Sequence, residues 1–220
     1  MEASPPSERT KVRRRAQRGR YDRATIEAIL DEALVCHVGF IADGQPYVIP
    51  TTYARVEDRL YIHGSVANRM LRTLAGGVPV CVTVTLLDGL VLARSAFHHS
   101  MNYRSVVVLG QAIEVVDPAE RLMALEAVVE HVFRGRWNEV RSPTEQELGA
   151  TCVLRLPLDE SSAKVRSGGP LDDEEDLSAG CWAGVIPLSL VAGAPVPDPQ
   201  LPASIAPTAS IAAYARPETP

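Results

Sequence analysis

The chain has 220 residues, of which 46% are hydrophobic and 22% are charged. This composition is that of a globular protein, and the length allows one domain with a sizeable core. The formal net charge of −5 argues against nucleic acid as the main partner. No apolar run reaches the roughly 20 residues of a membrane helix. The N-terminus is basic and lacks an apolar signal segment, so we expect a cytoplasmic protein with no membrane partner.

The two ends of the chain differ from its middle. Residues 1–20 hold seven of the 22 Lys and Arg residues and almost nothing apolar, which predicts a flexible basic arm or a segment that packs on its own domain. Residues 191–220 are rich in Pro and Ala, which predicts a disordered tail. One ordered domain is therefore expected over residues 21–190.

Apolar spacing predicts a helix at the start of this domain, and Asp22 or Thr25 can cap it. The helix runs through Ile26, Ile29, Leu30 and Leu34. An Asp-Gly pair at residues 43–44 then separates two apolar runs, which predicts a β-hairpin. Residues 60–63 form the third predicted strand.

Short strands dominate the second half. A second Asp-Gly pair, at residues 88–89, predicts a turn between strands over 78–85 and 90–95. A strand over 103–116, a helix over 119–132 and a strand over 152–158 follow, and residues 163–166 can extend the last strand. Strands joined by two-residue turns exclude a doubly wound parallel sheet. The pattern predicts a mainly β protein with peripheral helices, in a closed or nearly closed antiparallel barrel.

The segment 60–74 is the first candidate site. An alternating strand ends at His63, and Gly64 and Ser65 are expected to provide a sharp turn and a helix N-cap. The side chains of Ser65, Asn68 and Arg69 can then point with the helix N–H groups at one phosphate. The alternative is an ordinary strand-to-helix turn with solvated arginines.

Other polar residues give weaker signals. His98 and His99 are adjacent, and adjacent strand residues point to opposite faces, so we expect no metal site and place them at the rim of a ligand pocket. Residues 102–105 are polar among apolar neighbours and belong to a subunit interface or to the site. Residues 172–176 are expected to form a solvated acidic loop. The four cysteines are far apart, which predicts reduced, structural thiols.

An ordered set of segments carries a family resemblance. They are residues 21–26, 44–51, 60–65, 101–107, 135–137, 162–166 and 182–188. On these segments the chain resembles the pyridoxamine 5′-phosphate oxidase-related family, and within it the nitroimidazole-resistance-like, flavin-nucleotide-binding branch. The resemblance implies an FMN-binding split β-barrel, antiparallel and Greek-key-like. It also implies a homodimer with two FMN sites, each built from both subunits.

The same resemblance implies site residues. Backbone groups of Pro50, Thr51 and Thr52 would border the isoalloxazine ring, and Val82 and Thr83 would lie beneath the flavin. The phosphate and ribityl chain would be bound by His63, Gly64, Ser65, Asn68, Arg69 and Met70. Trp182 would reach the site of the partner subunit. The basic residues that full pyridoxine-phosphate oxidases use for substrate phosphate are not found, so that activity is not expected.

The resemblance implies an FMN-dependent oxidoreductase that acts on an unknown small molecule. No catalytic residue is assigned, because flavin chemistry needs no protein nucleophile and the sequence contains no recognisable triad. Two alternatives stay open from the sequence. One is a non-catalytic flavin-binding or storage protein, and the other is a structural dimer without cofactor.

Overall fold

A computed structural model describes residues 3–215. The chain forms two compact units. Unit 1 contains the residues up to 86 together with 103–167, and unit 2 contains 87–102 together with the residues from 168 onward. Within the described range, no helix has both the length and the apolar character needed to cross a membrane.

Strands dominate the described residues. The strands are β1 Gly19–Arg20, β2 Val35–Ala42, β3 Gln45–Thr52, β4 Ala54–Val56, β5 Arg59–Ser65, β6 Pro79–Leu92, β7 Ser100–Gln111, β8 Ile113–Glu114, β9 Thr151–Pro157, β10 Ser161–Arg166 and β11 Gly184–Pro187. The α-helices are α1 Arg23–Glu32, α2 Arg69–Ala75, α3 Pro118–Val132, α4 Glu145–Gly149 and α5 Ala209–Ala212. Short 3₁₀ helices cover Ala16–Arg18, Ala96–His98, Arg136–Glu139 and Glu174–Ser178.

Unit 1 is built on two sheets. One has the strand order β1-β10-β7-β6-β2-β3, and the other has the order β4-β5-β9-β8. The pairs β1–β10, β10–β7, β2–β6 and β2–β3 are antiparallel, as are β4–β5, β5–β9 and β8–β9. This confirms the prediction of a mainly β protein with a few helices, in a split β-barrel fold.

The hairpin between β2 and β3 forms where the sequence predicts it. Asp43 has φ 51° and Gly44 has φ 74°, and two left-handed residues are what a type I′ turn requires. β3 ends the strand order of its sheet, so its outer edge carries no further strand of the described chain. Pro46 and Pro50 both lie in β3.

The core of unit 1 lies on the inner faces of these strands. Alternate residues of β2 and β6 are buried, among them Val38 and Val82, as the two-residue period of a strand requires. The helices add buried residues at helical spacing: Ile26, Ile29 and Leu30 from α1, and Met70, Leu71 and Leu74 from α2. Asp22 caps α1 by accepting a hydrogen bond from the Thr25 N–H at 2.9 Å.

β6 differs from the prediction. It continues through Asp88 and Gly89 as one strand, and the expected turn there is wrong. Gly89 does not have the left-handed φ of a hairpin turn, and it is paired with Pro187 of β11. An Asp-Gly pair permits a turn, but a partner strand holds this one extended. The predicted strand over 103–116 is likewise interrupted, between β7 and β8, and residues 163–166 belong to a separate strand, β10.

The described part of the N-terminal segment makes contacts with the rest of unit 1. β1 pairs with β10, and Thr10 is buried. Ser7 Oγ donates to Glu160 Oε2 at 2.9 Å, and the Val12 N–H donates to Tyr21 Oη at 2.8 Å. These contacts fit the alternative, in which the segment packs on its own domain. Residues 1 and 2 lie outside the described range.

The C-terminal segment has little regular structure. Between residues 191 and 215 it forms only α5, and apolar side chains such as Val191 and Val196 are exposed. This agrees with the absence of apolar patterning in that part of the sequence. Residues 216–220 of the predicted tail lie outside the described range.

Candidate functional site

The first candidate site is the connection from β5 to α2. His63, Gly64 and Ser65 end β5 and pair with β9. The helix begins later than predicted, at Arg69, and its N-cap is Asn68, whose Oδ1 accepts from the Leu71 N–H at 3.3 Å. The prediction of Ser65 as the cap is therefore wrong. A turn separates it from the helix, and the Ser65 hydroxyl accepts from the Ala67 N–H at 3.2 Å.

Gly64 has a different role from the predicted one. It lies within β5 opposite Cys152 and does not have a left-handed φ, so it makes no sharp turn. A Cβ at this position would lie 3.1 Å from Leu71 Cδ1 and 3.8 Å from Asn68 Nδ2. Gly64 therefore allows α2 to approach the strand closely.

Arg69 has a partner that the sequence analysis did not assign. Its guanidinium carbon lies 4.3 Å from the centroid of the Tyr47 ring, and Tyr47 in turn stacks on Phe40. The Arg69 side chain is exposed, so the aromatic ring orients its donors without covering them. Tyr47 lies in one of the matched segments, but the contact joins residues 22 positions apart and no local pattern reveals it.

His63 has an unused polar atom. Its Nδ1 is buried and has no hydrogen-bond partner among the described residues. Burial lowers the pKa of the imidazole below its ordinary value of 6.5, so the ring is neutral near pH 7. Because an unpartnered buried nitrogen is unfavourable, a ligand atom or water at this place would be stabilised.

The second group of candidates lies on one sheet face. His37 of β2 is opposite Pro50 of β3 and also opposite Thr83 of β6. Directly opposed residues share a face, and this face is opposite the one that buries Val38. The structure thus brings Pro50 and Thr83 together, with His37 between them. No local pattern in the sequence marks His37, because its neighbours in space come from two other strands.

The remaining predicted site residues have varied environments. Thr51 and Thr52 are half-buried at the end of β3. Met70 and Val82 are buried in the core, so only their backbone groups can face a ligand. Trp182 belongs to unit 2, where its side chain is 66% exposed and its ring lies over Gly184. Ser65, Asn68 and Arg69 are thus the exposed donors of unit 1, whereas Met70 and Val82 support the fold.

The two adjacent histidines have different partners. His99 Nδ1 lies 2.9 Å from the Ser95 carbonyl oxygen, whereas His98 Nε2 lies 3.1 Å from Asp173 Oδ2. One ligand atom each of His98, Asp173 and Asp176 lie within 4.8 Å of one another. The segment predicted as a solvated acidic loop therefore brings two carboxylates to one of these histidines.

The polar run over residues 102–105 is satisfied within the chain. Arg104 forms a mostly buried ion pair with Glu32, with 2.8 Å from Nη2 to Oε1. Asn102 Nδ2 donates to the Gly168 carbonyl oxygen at 3.2 Å. These contacts explain the polar residues without a ligand.

All four cysteines are free thiols. Cys36 and Cys152 are buried, and burial raises the pKa of Cys36 to about 12. Cys36 is therefore an inert core residue. Of the four, Cys181 is the one that is exposed.

Two packed antiparallel sheets with few helices define the class of split β-barrel proteins. The model of the family described as pyridoxamine 5′-phosphate oxidase matches residues 22–165, well over half of the chain. The chain belongs to this family. A comparison with curated proteins returned no match.

Solved structures with this fold include two close relatives. The flavocytochrome Anf3 from Azotobacter vinelandii is 42% identical, with a TM-score of 0.90 over 95% of this chain and 97% of that one. The FAD and heme binding protein from Mycobacterium smegmatis is 39% identical, with a TM-score of 0.84 over 88% of this chain and 95% of that one. A proposed 5-nitroimidazole antibiotic resistance protein from Bacteroides thetaiotaomicron is 26% identical, with a TM-score of 0.56 over 67% and 86%.

Proposed function

We propose that this protein binds a flavin nucleotide and transfers electrons to or from a small molecule. The observation that carries the proposal is the 42% identity, over 95% of this chain, to a flavocytochrome. The donors at the β5–α2 connection support it, because they are polar, close in sequence and largely exposed. A true pyridoxine-phosphate oxidase is not proposed.

The residues of unit 1 fit a flavin nucleotide. Arg69 offers charged, oriented donors for a phosphate, and the Ser65 hydroxyl and Asn68 Nδ2 add neutral ones. The unpartnered Nδ1 of His63 is available for a ribityl or phosphate oxygen. Backbone groups of Thr51 and Thr52, at the half-buried end of β3, would border the ring.

When bound, the flavin supplies hydride or single-electron transfer. The protein's own groups then bind, orient and shield it. Backbone donors near the end of β3 would stabilise negative charge on the reduced ring electrostatically. No side chain needs to act as a nucleophile.

The nucleotide we propose is FAD, rather than the FMN that the sequence resemblance implies. The relative from Mycobacterium smegmatis binds FAD and haem, and it is 39% identical over 88% of this chain. We therefore also propose haem as a second cofactor. Haem iron takes an imidazole as axial ligand. His37 fits that requirement, because its ring is exposed and has no side-chain hydrogen bond in the described part of the chain.

We further propose that the protein works in the cytoplasm as a homodimer. The donors Ser65, Asn68 and Arg69 are exposed in one chain, so a flavin bound there needs a second surface to cover its ring. Trp182 is a large aromatic side chain that is 66% exposed, and such residues are enriched in interfaces. A two-fold interface would present the same residue to both sites.

The spectrum of the purified protein tests the cofactors. We expect visible flavin bands and a haem Soret band, FAD on chromatography of the released flavin, and a pyridine haemochrome. Release of FMN instead of FAD would show that the bound nucleotide is the one implied by the sequence resemblance. Colourless protein that takes up neither added FAD nor added FMN would contradict the proposal.

Two further measurements test the dimer and the catalytic activity. Light scattering should give a dimer, and Trp182→Ala should lower flavin affinity while most of the dimer persists. Anaerobic reduction by NADPH or a reduced deazaflavin, followed by a screen of electron acceptors, distinguishes an enzyme from a flavin-storage protein. A protein that binds flavin tightly as a monomer would contradict the shared site.

A further inference from the structure

Three potential metal ligands meet in unit 2, outside the residues that the proposed flavin site uses. His98 is the last residue of the 3₁₀ helix Ala96–His98, and it is half-buried. Asp173 precedes the 3₁₀ helix Glu174–Ser178, and Asp176 lies inside it. One ligand atom from each of the three lies within 4.8 Å of the other two.

Local structure holds this arrangement in place. A 3₁₀ helix has three residues per turn, so residues 173 and 176 lie on the same side of it. The neighbouring Asp172 anchors the segment, because its carboxylate accepts from the Arg94 backbone N–H and from Arg94 Nη1, each at 2.8 Å. The Asp172 side chain is only 1% exposed. The carboxylates at 173 and 176 are thereby presented to His98.

The two carboxylates share His98 as a neighbour, and Asp173 Oδ2 lies 3.1 Å from His98 Nε2. Asp173 occupies an N-cap position but makes no side-chain cap bond, although aspartate is among the best N-cap residues. Asp176 is half-buried and has no ion pair among the described residues.

We propose that His98, Asp173 and Asp176 bind a divalent transition-metal ion of the Zn²⁺ type. One imidazole nitrogen and two carboxylate oxygens are ligands that Zn²⁺ takes at about 2.0–2.2 Å, and water would fill the remaining position. The imidazole disfavours Ca²⁺ and Mg²⁺, which prefer oxygen ligands only. The ion would join the segment around residue 98 to the one around residue 175. The site is independent of the proposed flavin and haem functions.

Titration calorimetry with ZnCl₂ tests the site on chelator-treated holoprotein, and Co²⁺ absorption serves as a second probe. We expect saturable binding of one ion per chain. His98→Ala and Asp176→Asn should each weaken binding at least tenfold. The matched control is His99→Ala, which removes the adjacent imidazole and should leave the affinity unchanged. Circular dichroism checks that the variants are folded.

Several outcomes would overturn the proposal. Absence of saturable Zn²⁺ binding would leave His98 and Asp173 as an ordinary ion pair. Unchanged affinity in either His98→Ala or Asp176→Asn would place the ion elsewhere, and Cys181→Ser would show whether the exposed thiol holds it. Loss of the Soret band in His98→Ala would make His98 a haem ligand instead. If the wild type binds Zn²⁺ but no flavin or haem, the proposed function is contradicted and the metal site is supported.

Discussion

Arg69 of α2 rests on the ring of Tyr47 of β3, with 4.3 Å between the guanidinium carbon and the ring centroid. The contact joins two parts of the proposed flavin site. One is the β5–α2 connection, proposed to bind phosphate, and the other is β3, proposed to border the flavin ring. Tyr47 therefore fixes the position of the Arg69 guanidinium relative to the sheet.

Replacing Arg69 with Ala should weaken FAD and FMN binding by about 2 kcal/mol, because charged hydrogen bonds to phosphate are lost. Riboflavin has no phosphate and should bind almost as before. Arg72→Ala, an exposed arginine one turn further along α2, is the matched control. Fluorescence titration measures all three ligands. Equal losses for riboflavin and the nucleotides would show that Arg69 does not touch the phosphate.

Gly64→Ala should destabilise the fold by about 1–3 kcal/mol, since its Cβ would press on Leu71 Cδ1 at 3.1 Å. It should also displace Asn68 and lower flavin affinity. In Gly149→Ala the new Cβ meets nothing within 4 Å, so stability should stay the same or rise. Urea denaturation compares the two. A neutral Gly64→Ala would mean that α2 shifts at no cost.

The burial of His63 predicts that the stability of the folded protein depends on pH. Its pKa is lowered in the folded protein, so below pH 6.5 the unfolded chain binds more protons than the folded one. The stability associated with a neutral His63 is full above pH 6.5 and declines as the pH falls toward the folded-state pKa. Denaturation at pH 8, 7, 6 and 5 should show a smaller decline in His63→Asn than in the wild type. His99→Asn should retain the wild-type decline.

Thiol labelling should separate the cysteines. Cys181 is exposed and should react rapidly with a disulfide reagent, while Cys36 should react only on unfolding, because it is buried with a pKa of about 12. Cys181→Ser should abolish the fast phase. A fast phase that persists in this variant would indicate that one of the other thiols becomes accessible in the native protein.

Deleting residues 191–220 should leave the melting temperature within about 1–2 °C of the full chain. The described part of this segment is mostly without regular structure, and its apolar side chains are exposed. A change of this size corresponds to a few tenths of a kcal/mol for a protein of this length. A large drop, or loss of flavin on truncation, would show that the segment packs against another surface.

Two Asp-Gly pairs illustrate what could be predicted from the sequence. At residues 43–44 the pair makes a hairpin, as predicted, because the apolar runs on either side pair with each other. At residues 88–89 the same signal fails, since β11 holds the strand extended from nearly 100 positions away. Local chemistry sets which conformations are allowed, and a distant partner decides between them.

In the candidate site, too, the contacts between distant segments could not be predicted from the sequence. The sequence points to the segment around His63, Ser65 and Asn68, because the residue types there are those that bind phosphate. It could not reveal Tyr47 beneath Arg69, or His37 between Pro50 and Thr83, since these neighbours arise from strand register and helix packing. The predicted N-cap of α2 is wrong by three residues, because Ser65 and Asn68 are both good N-cap residues.

β3 also limits how this protein can associate. A free sheet edge can normally accept a strand from a neighbouring molecule, which leads to open-ended stacking. Proline has no backbone N–H and is tolerated where that group would point away from the sheet. Pro46 and Pro50 therefore remove two donors from the outer edge of β3 and interrupt any continuous ladder there. Strand-to-strand stacking of further copies through this edge of β3 should accordingly be disfavoured.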